Sequence, residues 1–260
     1  MSPKPHVVCV IPARYGAQRF PGKPLVHLSG KPMIQWVHEA VQGVELIDEI
    51  FVATDDERIQ ACVEGFGGKV VMTSPDIPSG SDRIAAAMVG RKGDILVNVQ
   101  GDEPGMHPES IRVAVQALLD SPKADVSTVC MPITDEAVFN NPYCVKVVRS
   151  ESDVALYFSR EAIPSRARVD GPTPPGTTIG YKHLGVYVYR REALEAYVKL
   201  HQTPLELTEK LEQLRFLEVG ATIVCPETPY DSIGVDAPAN VEEAEALLAQ
   251  RFGPSTPEKA

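Results

Sequence analysis

Short apolar runs alternate in the first half of the chain with stretches in which apolar side chains recur every three to four positions. Such runs predict strands buried on both faces, and the longer spacing predicts amphipathic helices between them. Met33–Val44 follows the helical spacing through Trp36, Val37 and Ala40. This order predicts an α/β fold with a doubly wound, mostly parallel sheet. The predicted strands are His6–Ile11, Glu49–Thr54, Lys69–Thr73 and Asp94–Val99, and the other predicted helices are Asp56–Phe66, Ser81–Val89 with Ser81 as N-cap, and Pro108–Leu119.

The second half of the chain is less regular and contains one long segment without a secondary-structure pattern. Pro164–Gly180 holds four prolines and three glycines, which predicts a long loop. Leucines on one face predict a single helix over Leu205–Val219, and Pro238 opens a last helix over Val241–Leu248. The tail after Phe252 is predicted to fray. Further strands are predicted at Val126–Met131, Tyr143–Val148, Leu184–Tyr189 and Thr222–Cys225.

The charge of the chain is acidic overall but unevenly distributed. With 25 Lys and Arg against 35 Asp and Glu, the 260-residue chain has a formal net charge of −10, which argues against a nucleic-acid partner. Five basic residues nevertheless precede the first acidic one, Glu39. This basic N-terminal region indicates either a solvated face or an anion site. The five residues are Lys4, Arg14, Arg19, Lys23 and Lys31.

Apolar content and cysteine usage bound the class of protein and its compartment. Apolar residues make up 43% of the chain and charged residues 23%, as is typical of a globular protein of one or two domains. Every apolar run is well below the roughly 18 residues of a membrane span, so we predict no membrane partner. The five cysteines are widely spaced and form no Cys-x-x-Cys pair, which predicts a cytoplasmic protein with reduced thiols.

The strongest candidate anion site is the loop after the first predicted strand. His6–Ile11 leads into a segment rich in glycine and proline that contains Arg14, Arg19 and Lys23. Proteins with α/β folds bind ligands at this carboxyl edge of the sheet, and cations there favour phosphate. The segment is not a Walker loop, because Lys23 is followed by Pro24 where a Mg²⁺-binding Ser or Thr is needed. A structural turn with exposed cations remains the alternative.

Two aspartates are candidate ligands of Mg²⁺. Asp102 comes shortly after the predicted strand Asp94–Val99, a position well suited to a cation that prefers oxygen ligands. A helix N-cap or a solvated turn remains the alternative for Asp102. Asp236 precedes Ala237 and Pro238, which is the local sequence of a helix N-cap. Only a partner carboxylate would make Asp236 a metal ligand.

The remaining polar residues carry no catalytic motif of their own. The histidines and cysteines show neither an HExxH motif nor zinc-ligand spacing, and no serine lies in a GxSxG motif. Because His183 belongs to no motif, we expect it to be a histidine of the core or of a loop. Glu212 and Gln213 would normally belong to the solvated face of a helix.

Taken in chain order, short motifs between residues 6 and 250 resemble those of the 3-deoxy-manno-octulosonate cytidylyltransferases, also called CMP-Kdo synthetases. The early motifs are shared with CMP-sugar synthetases in general, whereas Gln100–Pro104, Tyr157–Arg160, His183–Gly185 and Leu211–Arg215 are specific to this family. The matching segments are Ile11–Tyr15, Phe20–Leu25, Gly30–Met33, Ala53–Asp55, Ser79–Gly80, Asp82–Arg83, Asn98–Pro104, Val145–Val147, Tyr157–Arg160, His183–Gly185, Leu211–Arg215 and Gly234–Asp236.

The resemblance implies a Rossmann-like nucleotidyltransferase fold with a mixed, mostly parallel sheet flanked by helices. It implies a single domain over residues 1–252, in which a smaller lobe at about 125–225 binds the sugar and forms a homodimer. The implied activity is transfer of CMP from CTP to the 2-hydroxyl of Kdo, with release of pyrophosphate. This reaction requires Mg²⁺ and serves lipopolysaccharide biosynthesis.

The resemblance also implies three groups of site residues. The catalytic group consists of Arg14 and Lys23, which would bind the triphosphate, and of Asp102 and Asp236, which would hold Mg²⁺. The implied nucleotide-binding residues are Pro12, Ala13, Arg14, Lys23, Asp55, Ser79, Gly80, Ser81 and Arg83. The implied sugar-binding residues are Gln100, Arg160, His183, Tyr187, Glu212 and Gln213.

Three short segments depart from the commoner family pattern, and two alternative functions stay open. The departures are Gly16–Gln18, Ser81–Asp82 and Gly105–His107, which leave the charged residues in place and so bear on substrate detail more than on chemistry. One alternative is CMP transfer to another 2-keto sugar acid, such as a sialic acid or 8-amino-Kdo. The other is a sugar-nucleotide binding protein without turnover, which would have little reason to keep both carboxylates and both cations.

Overall fold

A computed structural model describes residues 4–16, 20–169, 171 and 173–252 of the chain. Arg19 and the tail predicted to fray, residues 253–260, lie outside the described residues. Among the described residues, no helix has both the length and the apolar character needed to cross a bilayer.

Strands and helices alternate along most of the described chain. The strands are β1 (Val7–Ala13), β2 (His27–Leu28), β3 (Lys31–Pro32), β4 (Glu49–Thr54), β5 (Val70–Met72), β6 (Ile95–Val99), β7 (Val126–Ile133), β8 (Lys146–Arg149), β9 (Ala155–Ser159), β10 (Gly180–Arg190) and β11 (Ile223–Val224). The helices are α1 (Met33–Gln42), α2 (Glu57–Gly65), α3 (Gly80–Ala87), α4 (Pro108–Asp120), α5 (Glu136–Phe139), α6 (Arg191–Tyr197), α7 (Pro204–Glu209), α8 (Gln213–Glu218) and α9 (Val241–Phe252). Short 3₁₀ turns lie at Lys23–Leu25 and Pro238–Asn240.

The chain divides into two compact units. Within the described residues, the first unit runs up to Arg112 and resumes at Asp231, and the second unit is Val113–Tyr230. The boundary therefore falls within α4. The single domain predicted over residues 1–252, with its lobe at about 125–225, stays a prediction.

The first unit is built on four parallel strands in the order β6-β1-β4-β5. All seven residues of β1 are buried, as expected for a central strand that is covered on both faces. Because the strands are parallel, their carboxyl ends meet at one edge of the sheet. Arg14 after β1, Asp55 after β4 and Gln100 after β6 all lie at this edge.

Helix α3 begins earlier than predicted, and Ser81 is not its N-cap. Ser79 is the cap: its hydroxyl accepts the backbone N–H of Asp82 at 3.2 Å and donates to the Asp82 carboxylate at 2.6 Å. Ser81 lies within the first turn and is buried. The reciprocal bond between residues three positions apart favours Ser79, because Ser81 has no acidic residue at the corresponding position.

The strands of the second unit lie around the long strand β10 in mixed orientations. Strand β10 pairs antiparallel with β7 and with β8, β8 pairs antiparallel with β9, and β11 runs parallel to β7. The pairing of β10 shifts register between Leu184 and Val188. Strand β9 and helix α6 were not predicted, and β10 extends beyond the predicted Leu184–Tyr189 at both ends.

The single helix predicted over Leu205–Val219 is wrong. Helices α7 and α8 are separated at Lys210, which adopts a left-handed conformation with φ 57°. Glu206 and Arg215 form a buried bidentate ion pair across this break, with Arg215 Nε 2.7 Å from Glu206 Oε2. Nine positions apart, they would lie on opposite faces of one straight helix, because each residue advances the helix by about 100°. The break lets the two charges meet.

Candidate active site

The loop after β1 is held by an aromatic ring packed against a glycine. Gly22 has φ +73° and donates its N–H to the Tyr15 carbonyl at 2.8 Å, and a Cβ at this position would lie 2.9 Å from the Tyr15 ring. Glycine is therefore required at position 22 for both space and backbone conformation. The Arg58 guanidinium stacks 3.4 Å from the centre of the Tyr15 ring and pairs with Asp56. These contacts hold the backbone of the loop directly before Lys23 in place.

The Lys23 ammonium lies between the two predicted metal ligands. Its Nζ contacts Asp102 Oδ2 and is 3.3 Å from Asp236 Oδ1. Asp236 is not the N-cap, because Ala237 takes the N-cap position of the turn Pro238–Asn240. The side chain of Asn240 accepts the backbone N–H groups of Asp236 and Ala237 at 3.2 and 3.0 Å. The Asn240 amide thus ties the turn to the residues before it, and the Asp236 carboxylate faces Lys23.

The carboxylates of Asp102 and Asp236 form a donor set that suits Mg²⁺. Both reach the same point charge on Lys23 Nζ, so they converge on a position that one cation can occupy. Mg²⁺ in nucleotide enzymes is commonly held by one or two carboxylates, with phosphate oxygens and water completing its shell. No group of three or more His, Cys, Asp or Glu among the described residues forms an all-protein metal cage. Metal binding by this pair stays a prediction.

The first turn of α3 lies against the end of β1 and the side chain of Gln100. A Cβ on Gly80 would be 3.4 Å from both Pro12 Cγ and Gln100 Nε2. Gln100 in turn donates to Asn98 Oδ1 at 3.0 Å. The structure thus brings Pro12, at the end of β1, together with Gly80, both of them predicted nucleotide-binding residues.

Arg83 contacts the residues that directly follow β4 and β5. It is buried, donates to the Thr73 hydroxyl and approaches Asp55 Oδ2 at 3.4 Å. Burial lowers the pKa of the Arg83 guanidinium, Asp55 opposes this shift, and nearby Arg14 adds to it. Asp55 Oδ1 is buried and accepts no hydrogen bond from any described residue. It is therefore an available acceptor for a ligand donor.

In the second unit, His183 is buried and neutral at physiological pH. Burial lowers its pKa to about 3. Its Nε2 lies 2.9 Å from the hydroxyl of Thr128, which also lies 2.7 Å from the Val186 carbonyl. Because the single hydroxyl proton goes to that carbonyl, Nε2 carries the imidazole proton and Nδ1 is the acceptor. His183 can accept a hydroxyl but does not supply charge.

Three further predicted sugar-binding residues belong to the same part of this unit. The rings of His183 and Tyr187 are 5.3 Å apart. Burial, the neighbouring Tyr189 and the charge of Glu212 raise the pKa of the Tyr187 hydroxyl, so it remains a neutral donor. Gln213 is buried, and its Nε2 has no hydrogen-bond acceptor among the described residues. An uncompensated buried donor of this kind is costly unless a ligand pairs with it.

Arg160 is held at the end of β9 by the C-terminal part of α7. Its Nε donates to the Glu209 carbonyl at 2.9 Å, and its backbone N–H donates to the Glu209 carboxylate at 3.0 Å. The Arg160 carbonyl accepts from Lys146, which is fully buried and also binds the carbonyls of Asn141 and Cys144. No role was predicted for Glu209, and Lys146 was noted only within the matching segment Val145–Val147; a lysine within an apolar run was the available signal for its burial.

The fold and the site define a nucleotidyltransferase with a Rossmann-like α/β fold. A parallel sheet carries a cationic loop and paired carboxylates at the carboxyl edge, as the sequence predicts. The chain belongs to the cytidylyltransferase family, because the family model described as "Cytidylyltransferase" matches residues 8–223. The predicted fold class and enzyme class are confirmed.

Individual relatives match over nearly the whole chain. An 8-amino-3,8-dideoxy-manno-octulosonate cytidylyltransferase of Shewanella baltica is 46% identical, covering 94% of this chain and 99% of its own. A 3-deoxy-manno-octulosonate cytidylyltransferase of Myxococcus xanthus is 45% identical, covering 95% and 98%. A solved structure of CMP:2-keto-3-deoxy-manno-octonic acid synthetase complexed with CTP is 42% identical with a TM-score of 0.88, covering 95% and 100%.

The buried neutral His183 predicts a defined pH dependence of stability. Histidine in an unfolded chain titrates near pH 6.5, whereas His183 titrates at about 3. Between these values the unfolded chain binds one more proton, so the free energy of unfolding falls by about 1.4 kcal/mol per pH unit as the pH is lowered. Above pH 6.5 the residue adds no pH dependence.

We expect His183→Gln to remove this contribution. The free energy of unfolding is measured with urea at about pH 7 and about pH 5, at one protein concentration. Its decrease between these two pH values should be smaller by about 2 kcal/mol in the variant than in the wild type. His201→Gln, at an exposed position, is the matched control for the substitution. If the pH dependence of the unfolding free energy were unchanged in His183→Gln, the low pKa of His183 would be contradicted.

Proposed function

We propose that this protein transfers CMP from CTP to the 2-hydroxyl of 3-deoxy-manno-octulosonate, giving CMP-Kdo and pyrophosphate. The observation that carries the proposal is the convergence of Asp102 and Asp236 on Lys23 in a chain of the cytidylyltransferase family. Near full-length identity of 42–46% to enzymes named for Kdo or 8-amino-Kdo supports the acceptor class. The Mg²⁺ requirement is part of the proposal, and a homodimer and a cytoplasmic location stay predictions.

In this proposal the first unit binds the nucleotide. Arg14 and Lys23 neutralise the triphosphate, whose charge the acidic chain would otherwise repel. The first turn of α3, at Ser79–Ser81, and the acceptor Oδ1 of Asp55 face the base and ribose. Before substrate binds, Lys23 offsets the mutual repulsion of the two carboxylates. When bound by Asp102 and Asp236, Mg²⁺ would lower the pKa of the attacking hydroxyl and offset charge on the phosphate.

The sugar acid is recognised by one cation and several neutral groups. Arg160 is the proposed partner of its carboxylate, since the neutral His183 cannot supply charge. Nδ1 of His183 accepts a hydroxyl, and Gln213 Nε2 and the Tyr187 hydroxyl donate. Glu212, exposed at the start of α8, is a further acceptor for hydroxyl groups.

The chemistry that these residues support is a direct displacement. The 2-hydroxyl oxygen forms a bond to the α-phosphorus, the bond from that phosphorus to the bridging oxygen breaks, and pyrophosphate leaves with the electron pair. The hydroxyl proton passes to water. Such a transfer depends on positioning and charge neutralisation more than on a protein nucleophile.

The acceptor preference is tested by a substrate panel. With CTP and Mg²⁺, pyrophosphate release should have its highest kcat/KM with Kdo, compared with 8-amino-Kdo, N-acetylneuraminate and no acceptor. The 46% identical relative makes 8-amino-Kdo the second candidate. A preference for it would overturn the acceptor, and no release with any sugar acid would overturn the transferase proposal.

The direct displacement is tested by trapping. CTP labelled at the α-phosphate and mixed with enzyme and Mg²⁺ should leave no label on acid-quenched, denatured protein, whether or not Kdo is present. Formation of labelled CMP-Kdo in the tubes that contain Kdo is the positive control. Stoichiometric label on the protein would establish a covalent nucleotidyl-enzyme and exclude this mechanism.

Asp102→Asn tests the carboxylate pair. Loss of one charge that stabilises the transition state should lower kcat by at least about 10²-fold, measured as pyrophosphate release at saturating substrates. Asp120→Asn, on the exposed end of α4, makes the same chemical change away from the site and should keep wild-type turnover. Near-normal turnover in Asp102→Asn would count against its role.

A further inference from the structure

Two segments without regular secondary structure carry the paired carboxylates. Residues 102–105 follow β6, and residues 231–236 precede the last helix, so the two segments come from distant parts of the sequence. The Val235 N–H donates to the Asp102 carbonyl at 2.8 Å, and the Ser232 hydroxyl donates to the Glu103 carboxylate. No strand pairing or helix joins them. One main-chain bond next to the carboxylates thus joins the two segments, and side-chain contacts add to it in setting the separation of Asp102 and Asp236.

Arg251 on α9 bridges these same two segments. One terminal nitrogen of its guanidinium donates to the Gly105 carbonyl, and the other donates to the Asp231 carbonyl. A guanidinium presents its donors in a rigid planar fork, so two simultaneous bonds fix the relative position of two acceptors. A single lysine nitrogen has no such fork.

Helix α9 is itself well anchored, which makes the guanidinium a fixed point. Ala244 and Leu248 are buried in one apolar cluster with Met33 and Trp36 of α1. The same cluster contains Val235, the residue directly before Asp236. The helix that carries Arg251 and the segment that carries Asp236 therefore pack on a common core.

Gly105 permits the close approach that Arg251 needs. A Cβ at this position would lie 2.7 Å from Leu247 Cδ2 and 3.4 Å from the Ile233 backbone nitrogen. The backbone of residues 102–105 thus lies directly against α9 and against residues 231–236. Gly105 belongs to one of the segments that depart from the commoner family pattern, and this contact gives the departure a structural reason.

We propose that Arg251 is a positioning residue that holds Asp102 and Asp236 at the separation required to bind Mg²⁺ together with CTP. It acts through the Gly105 and Asp231 carbonyls and contacts neither substrate. The inference rests on the proposed function. Loss of the fork would let the two segments move apart and weaken metal binding, while the sugar-binding residues of the second unit keep their places.

The test compares Arg251→Gln and Arg251→Lys with Arg112→Gln. Arg112 is exposed on α4 and pairs with Glu109 of the same helix, so its variant makes the same charge change without touching either segment. Two quantities are measured: the free Mg²⁺ concentration that gives half-maximal rate, and the dissociation constant of Mn²⁺ by electron paramagnetic resonance with CTP and no acceptor.

Both Arg251 variants should raise the two metal constants by at least about tenfold, with the KM for Kdo changed by less than about twofold. Arg112→Gln should match the wild type. Wild-type metal constants in Arg251→Gln, or full recovery by Arg251→Lys, would overturn the inference, the latter because charge alone would then suffice.

A milder variant decides the question if the Arg251 variants do not fold, as judged by cooperative urea unfolding. Gly105→Ala keeps the Arg251 side chain but places a Cβ 2.7 Å from Leu247 Cδ2, which moves the Gly105 carbonyl away from the guanidinium. It should raise the metal constants by about threefold, and no change would then overturn the inference. Failure of the proposed function is distinguishable, because the wild-type protein itself would then release no Mg²⁺-dependent pyrophosphate with any sugar acid.

Discussion

The contact of one ammonium group with two carboxylates is the interaction around which the first unit is arranged. Asp102 and Asp236 repel one another, and Lys23 offsets that repulsion at short range. None of the three residues lies on a strand or an α-helix, so other contacts hold their segments. Tyr15 and Gly22 hold the segment of Lys23, and Arg251 joins the two others. Because other contacts hold the three segments, the two carboxylates can bind another cation in place of the Lys23 ammonium without a change of fold.

The second unit depends on buried polar groups that are paired with main-chain atoms or with one another. Lys146 is fully buried among three carbonyls, and the Glu206–Arg215 pair is nearly so. Such groups are costly to bury alone, and removing one partner of a buried ion pair typically costs about 3–5 kcal/mol. These buried groups hold predicted sugar-binding residues in place. Lys146 binds the carbonyl of Arg160, and the ion pair of Arg215 holds α8, which begins directly after Glu212.

Local patterns predicted the first unit better than the second. The bounds of β4 were predicted to the residue, and those of β1 and α1 to within two residues, because apolar periodicity is a property of neighbouring residues. The break at Lys210 was not predictable in this way, since it is stabilised by Glu206 and Arg215 across nine positions. In the site, charged residue types marked Lys23 and Asp102. Lys146 and Arg251 donate to main-chain carbonyls, and the Glu209 carboxylate accepts a main-chain N–H. Residue type alone predicts none of these contacts.

The sequence by itself determined the parallel α/β arrangement, the cationic loop after β1 and the residue types of a nucleotide site. These follow from short-range periodicity and from the rule that parallel strands present their carboxyl ends at one edge. Only the tertiary structure decided that the Asp236 carboxylate faces Lys23 while Ala237 takes the N-cap position of the following turn. An aspartate before a helix can do either, and the choice depends on which distant charge lies beside it. In the folded chain Lys23 lies beside Asp236, so the carboxylate pairs with the ammonium group.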